Sequence, residues 1–160
     1  MTIKAGDKIP SITLRRPTAD GMEEISTDDI FTAKRVVLFA VPGAFTPTCS
    51  QQHLPGFVAK VDDFKAKGID TIACIATNDA FVMGAWANDH NVGDKVLMLS
   101  DGNGEFTKAA GLELDLSGLG LGVRSQRYAL VAEDGVVKDL QVDEGGQLEV
   151  SSAEKVLERL

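Results

Sequence analysis

Val36-Val37-Leu38-Phe39-Ala40-Val41-Pro42-Gly43-Ala44-Phe45-Thr46-Pro47-Thr48-Cys49 is an apolar run that breaks at a Pro/Gly turn and leads into a helix-start signal. The first six residues show no polar alternation, the pattern of a strand covered on both faces. Beyond the turn, Leu54, Phe57, Val58, Val61 and Phe64 recur at spacings of three and four, which gives a helix one sheet-facing side. That helix is predicted to run to about residue 67, closed by Gly68 and kinked at Pro55, which has no N–H for the helical ladder. A strand that enters a helix through a tight turn is the repeating unit of α/β folds, and its turn is where such folds place their chemistry.

Within the turn, Thr46 suits the N-cap and Pro47 the first helical position, where a missing N–H costs nothing. Cys49 then falls three residues past the cap, among backbone N–H groups that have no intrahelical partner. Those donors and the positive end of the helix dipole favour a thiolate, so Cys49 is a candidate nucleophile. The competing reading is an inert buried cysteine, a common fate of this residue type.

Working outward, a strand is predicted over 69–77, so strand, helix and strand form a right-handed parallel crossover. Asn78-Asp79 caps a helix over 80–90, a third buried strand covers 96–99, and Asp101-Gly102-Asn103-Gly104 turns into a helix over 105–110. Residues 111–122, rich in Gly and Leu, read as a loop that presents apolar side chains. Strands over 127–132 and 136–142 flank Glu133-Asp134-Gly135 as a hairpin, and Ser151-Ser152 caps a terminal helix to Leu160. Toward the amino terminus, residues 9–16 read as an edge strand with Pro10 at its start, followed by a turn at 18–21 and a short helical turn through Phe31. With no linker or repeat, one domain over 1–160 is expected.

Composition narrows the function classes. The chain is 44% hydrophobic and 25% charged, and lacks an apolar run long enough for a membrane helix. A formal net charge of −8 without a basic cluster disfavours nucleic acid and anionic membranes as partners. Two isolated cysteines and two histidines, His53 and His90, provide neither a metal-site spacing nor a disulfide framework, so no metal or cofactor is expected. The amino terminus shows no targeting pattern, and cytoplasmic residence is the expectation. Gly118-x-Gly120-x-Gly122 neither follows a strand nor opens a helix, so it is not a dinucleotide fingerprint. Asp101-x-Asn103-x-Glu105 fails as a calcium loop, because Phe106 and Leu112 stand where glycine and glutamate are needed.

Strand, turn, long helix, parallel strands, hairpin and final helix follow the order of a thioredoxin-like fold with a central mixed sheet flanked by helices and an N-terminal extension. Thioredoxin would carry Cys-x-x-Cys at the helix start; here Thr46 occupies the first cysteine's place. Pro42-x-x-x-Thr46-x-x-Cys49 resembles the peroxiredoxin signature. The longer string through Ser50, with His53-Leu54-Pro55-Gly56-Phe57, Asn78-Asp79-Ala80-Phe81-Val82, Asp101-Gly102 and Arg124-Ser125-x-Arg127-Tyr128, is similar to the type II (peroxiredoxin-5) subfamily.

The resemblance implies a thiol peroxidase acting on hydrogen peroxide and alkyl hydroperoxides through a Cys49 sulfenic acid. Arg127 would hold the thiolate and the peroxide oxygens, Thr46 would bond to the peroxide, Pro42 would shield the sulfur, and the Gly43, Phe45 and Thr48 part of the turn would bind substrate. Arg124, Cys74 and His53 are accessory candidates. His53, four residues past Cys49, also raises a Cys-His hydrolase dyad as a rival. Cys74 sits too far back along its strand to pair with Cys49 without local unfolding. No cysteine occupies 143–160, where vertebrate-type members place a resolving one, so the resemblance to plant and bacterial type II enzymes implies glutaredoxin or glutathione, or else thioredoxin, as external reductant. Leu114, Leu116, Leu119, Leu121 and Phe45 are expected to serve a homodimer interface. A peroxide-sensing or chaperone-like redox protein using the same cysteine is the alternative function.

Overall fold

The computed structural model describes residues 2–144 and 147–160. Seven strands, β1 (Thr13–Thr18), β2 (Gly21–Ser26), β3 (Arg35–Ala40), β4 (Thr71–Ala76), β5 (Leu97–Ser100), β8 (Arg127–Glu133) and β9 (Val136–Asp143), form one mixed sheet. Their order across it is β2-β1-β5-β4-β3-β8-β9. A separate ribbon pairs β6 (Glu113–Asp115) with β7 (Val123–Ser125). The helices are α1 (Thr27–Phe31), α2 (Leu54–Ala59), α3 (Val61–Ala66), α4 (Ala80–Asp89), α5 (Glu105–Ala110) and α6 (Ala153–Arg159). Strands β3, β4 and β5 are parallel, and β8, β9, β1 and β2 join antiparallel. This is the thioredoxin-like, mixed α/β arrangement expected.

The central strands are apolar on both faces because each face meets a helical layer. Alternate residues of β3 and the residue after it divide cleanly: Val37, Phe39 and Val41 join one core with Leu54, Phe57, Phe64, Met83 and Trp86, whereas Val36, Leu38 and Ala40 join a second with Ile30, Phe31 and Phe106. On the first face, Phe39 stacks on Phe57 with ring centroids 4.0 Å apart, and Phe57 stacks on Phe64 at 5.4 Å. Truncating one of these rings to alanine leaves a cavity costing about 3–5 kcal/mol. The same parity runs along β8, where Ala129 and Val131 face the first core and Tyr128 and Leu130 the second. Arg127 therefore falls on the face of Phe39 and the helix after the turn.

Three local expectations are corrected. Residues 9–16 do not form an edge strand: β1 begins at Thr13 and lies between β2 and β5, and β2 takes the edge. The stretch Met22-Glu23-Glu24 hid that strand, because these three residues are all exposed at the sheet edge and show no apolar period. Second, the segment 111–122 is not only a loop, since Glu113–Asp115 pairs with Val123–Ser125 around a short 3-10 turn at Ser117–Leu119. Third, the helix after Cys49 is not continuous to residue 67. It breaks at Lys60 (φ −113°, ψ 17°) between α2 and α3, and Cys49–His53 is a π-helical turn.

Candidate active site

The turn between β3 and the helix is held by its own backbone geometry. Phe45 takes a left-handed φ of +64°, a conformation that costs a non-glycine residue about 1 kcal/mol, and its side chain stays half-exposed. The strain is offset locally: the Ala44 N–H donates to the Asn78 side-chain oxygen at 2.8 Å, and the Thr46 hydroxyl donates to the Gly43 carbonyl at 2.6 Å. Gly43 is required by close approach, since a Cβ there would lie 2.9 Å from an Arg124 guanidinium nitrogen and 3.1 Å from the Thr46 methyl.

Thr46 occupies the cap position in backbone terms, its carbonyl accepting from the Ser50 N–H at 2.9 Å. Its side chain does not cap as expected; the hydroxyl turns back to Gly43 and retains lone pairs for another donor. In the π turn the Leu54 N–H reaches the Cys49 carbonyl five residues back, a wide turn that recurs at functional sites, and Pro55 follows at the start of α2, where a proline is tolerated. The irregularity predicted at Pro55 thus precedes it, and Cys49 and His53 share one buried face.

Arg127 closes the site. The last β3–β8 pair is Ala40 with Tyr128, so Arg127 projects past the end of β3, alongside the turn. Its Nη2 donates to the Cys49 sulfur at 3.1 Å, and its Nη1 meets His53 Nδ1 at 2.9 Å. Arg127 Nε is buried without a hydrogen-bond partner among the described residues. Cys49, Arg127 and His53 are all almost wholly buried, at 0, 3 and 1% exposure. In this conformation the sulfur is shut off from bulk water, beneath the half-exposed Pro42, Thr46 and Thr48.

His53 is not poised as a base. Burial, reinforced by the adjacent Arg127 guanidinium, lowers its pKa to about 3, and its Nε2 is 3.0 Å from the Ser151 carbonyl. Both ring nitrogens are engaged away from the sulfur, which removes the Cys-His dyad. Ser151 is in turn fixed by Asp143, whose carboxylate accepts from the Ser151 hydroxyl and from the N–H groups of Glu149, Val150 and Ser151. Burial alone would raise the Asp143 pKa, but these bonds more than offset it and hold the carboxyl below its ordinary value.

The accessory residues divide. Arg124 Nη1 donates to the Pro42 carbonyl at 3.2 Å and its Nε to the Leu121 carbonyl at 2.8 Å, so it braces the turn from outside. It also lines a cleft of about 490 Å³ with Asn78, Leu121 and Val123, which Cys49 does not line. Cys74 is buried on β4, in register with Phe39 of the neighbouring β3, and burial together with the nearby Cys49 sulfur pushes its thiol pKa well up. Both cysteines are free. Sequence reasoning missed Asp143, Ser151 and Asn78, which act over separations of 98 residues (Ser151 to His53) and 34 (Asn78 to Ala44) and leave no local signal. It also missed the 2.9 Å bond from the Trp86 indole N–H to the hydroxyl of Ser50, the residue next to Cys49.

A family model described as Redoxin matches residues 4–157. The chain belongs to the Redoxin family. Its relatives place it among the type II peroxiredoxins, which makes it a thiol peroxidase. Peroxiredoxin-2E, chloroplastic, of Arabidopsis thaliana is 53% identical over 163 residues, covering 99% of this chain and 70% of the relative. The crystal structure of reduced Prx3 from Vibrio vulnificus in complex with hydrogen peroxide is 49% identical with a TM-score of 0.94, over 99% of each chain. Peroxiredoxin 5 from Alvinella pompejana is 35% identical with a TM-score of 0.86, over 97% of this peroxiredoxin and 96% of that chain.

Proposed function

We propose that Cys49 is the peroxidatic sulfur, with Arg127 and Thr46 as its partners and Pro42 as its shield. The observation that carries this reading is the Arg127 Nη2–Cys49 sulfur contact of 3.1 Å in a site closed to bulk water. Low local dielectric strengthens a cation beside a thiolate, and the remaining Arg127 Nε–H is a donor for a peroxide oxygen. Thr46 supplies a hydroxyl beside the same turn, and the backbone of Gly43, Phe45 and Thr48 frames the substrate. The thiolate attacks one peroxide oxygen, forming an S–O bond as the O–O bond breaks. Sulfur is oxidised by two electrons to sulfenic acid, and the departing oxygen takes a proton and leaves as water or alcohol. The hydrogen peroxide complex of the Vibrio vulnificus relative supports hydrogen peroxide as a substrate.

An external thiol then captures the sulfenic sulfur as a mixed disulfide and releases water, and a second thiol restores Cys49. The burial of Cys74 and the absence of a cysteine over 143–160 support glutathione with glutaredoxin as the donor, ahead of thioredoxin. Free, isolated thiols support residence in a reducing compartment such as the cytoplasm. A homodimer is supported by exposed apolar side chains: Phe45 at 51%, Leu119 at 74% and Leu121 at 39% exposure, joined by Val123 at 54%. Leu114 and Leu116 are only half-exposed, so they contribute less than expected.

The testing experiment is NADPH-coupled peroxide consumption by wild type, Cys49→Ser and Cys74→Ser, with glutathione plus glutaredoxin or with thioredoxin. Turnover that requires Cys49, tolerates Cys74→Ser and runs faster on glutathione plus glutaredoxin is the expected result. Turnover surviving Cys49→Ser overturns the assignment.

A further inference from the structure

We propose that the cleft between α2, the loop over 148–152 and the start of α6 binds the small thiol that restores Cys49: a γ-glutamyl tripeptide of the glutathione kind, with its carboxylates on Lys60 and Lys155 and its ammonium facing Glu149 and Glu154. The inference rests on the reading of Cys49 as the oxidised sulfur and gives the regenerating thiol a site of its own.

The cleft has a volume of about 670 Å³, within the range of small-molecule sites. One wall is the segment that carries the sulfur: Gln52 belongs to the π turn that begins at Cys49, and Gly56 and Lys60 follow it on α2 and at its end. The other wall is the loop that covers the site, because the Ser151 carbonyl bonded to His53 falls between Val150 and Ser152, which both line the cleft. Cys49 is wholly buried, so the π turn must open before any bulky thiol meets its sulfur, and the cleft lies against that turn. Two other clefts are placed differently. One of about 680 Å³ is lined by Thr71 and Leu97, the residues that open β4 and β5, at the opposite end of the parallel strands from the Cys49 turn. The cleft beside Arg124 shares Leu121 and Val123 with the surface assigned to the dimer.

The charges around the cleft are unspent. Lys60, Glu149 and Glu154 form no ion pair among the described residues. Lys155 reaches only Glu158, at 3.6 Å with both side chains more than half exposed, a pairing worth little. A γ-glutamyl tripeptide carries two carboxylates and one ammonium at neutral pH, so it offers a partner to each sign, whereas an uncharged thiol leaves all four groups unused. The chain's net charge of −8 repels an anionic thiol at long range, so cations are needed where it docks. Once the turn opens, the bound thiol attacks the sulfenic sulfur. An S–S bond forms as the S–O bond breaks, and the departing hydroxide leaves as water with the thiol's proton. The tripeptide sulfur is oxidised by one electron and the Cys49 sulfur reduced by one. A second thiol then attacks the tripeptide sulfur of the mixed disulfide and releases Cys49 as thiolate.

The test compares two thiols on the full chain. Cys49 is oxidised with an equivalent of hydrogen peroxide, and capture of its sulfenic acid by glutathione or by uncharged 2-mercaptoethanol is timed by rapid quench and intact mass. Lys60→Glu combined with Lys155→Glu should slow capture by glutathione about tenfold or more, and capture by 2-mercaptoethanol less than about twofold. Lys65→Glu, which makes the charge change of one such substitution outside the cleft, should keep the glutathione rate within about twofold. Equal losses for both thiols, an undiminished glutathione rate in the double variant, or as large a loss in Lys65→Glu as in Lys60→Glu overturn the proposal. NMR of the reduced wild type needs no substitution: S-methylglutathione should shift the amides of Gln52, Gly56 and Lys60. Shifts confined to other residues, or none at about 10 mM, refute the site. Failure of the underlying reading is distinguishable, since the sulfenic acid of Cys49 would then not form in wild type at all.

Discussion

Arg127 Nη2 lies 3.1 Å from the sulfur of Cys49, across 78 residues of chain. Cys49 comes with the turn after β3, and Arg127 comes with the first residue of β8, the strand that pairs antiparallel with β3. On the proposed assignment, removing the guanidinium takes away both the cation beside the thiolate and the donor for the peroxide. Arg127→Gln should lower the second-order rate with hydrogen peroxide by about 100- to 1,000-fold, measured by stopped flow. Arg127→Lys should recover only a small part, because an ammonium cannot reach Cys49 and His53 with a fixed fork.

The Thr46 hydroxyl spends its hydrogen on the Gly43 carbonyl, so its oxygen is presented to the site as an acceptor. Thr46→Ser should keep peroxide turnover within a few-fold, whereas isosteric Thr46→Val should lose about tenfold to a hundredfold. A Val variant as active as Ser would remove the hydroxyl from the mechanism.

Cys74 is buried among apolar side chains and its thiol is held protonated at neutral pH. Cys74→Ser should leave turnover with an external thiol largely intact, and cost about 1–3 kcal/mol in denaturant unfolding because a hydroxyl replaces a thiol in the core. Strict loss of activity in the folded variant would place Cys74 in the catalytic cycle after all.

His53 makes the fold acid-sensitive. The unfolded histidine titrates near 6.5, whereas in the folded chain burial and Arg127 hold the ring neutral down to about 3. Between those values the unfolded state binds the extra proton, so stability falls as pH drops, by up to about 1.4 kcal/mol per pH unit. Asp143 acts in the same direction only at more acid pH, as its depressed carboxyl titrates below 3.8. Asp101 opposes it, since burial raises that carboxyl despite the Thr107 and Phe106 bonds and its protonation favours the folded state. Urea unfolding at about pH 7 and about pH 4.5 should show a steeper loss in wild type than in His53→Asn.

The exposed apolar side chains of Leu119, Leu121 and Val123 predict a dimer that a charge disrupts. Leu119→Glu, at a position 74% exposed in the single chain, should not disturb folding but should shift sedimentation toward the monomer at micromolar concentration. A monomeric wild type would refute the interface.

Much of this architecture was legible in residue pattern. The strands β3, β4, β5 and β8 announce themselves because both faces are apolar, and the caps Asp79 and Ser152 sit where the helix-start signals put them, each accepting a backbone N–H. What pattern could not supply was β2, whose two apolar residues Met22 and Ile25 are separated by Glu23 and Glu24, and β6 with β7, three residues each in a Gly-rich segment where sheet periodicity cannot be read. In the site, the cysteine and its turn were readable from capping chemistry, and Arg127 only through resemblance. The part played by His53 was not readable, because it depends on Arg127 and on a carbonyl 98 residues away. Spacing along the helix alone pointed to the wrong partner, Cys49.

The bond from Trp86 to Ser50 gives the molecule an internal indicator. Trp86 is the sole tryptophan of the chain, and its indole is tied to the residue adjoining Cys49. Any rearrangement that lets a bulky thiol reach that sulfur must disturb the first turn of the helix and hence the indole's surroundings. The emission of one native fluorophore can therefore time the passage between closed, oxidised and thiol-captured forms without a label.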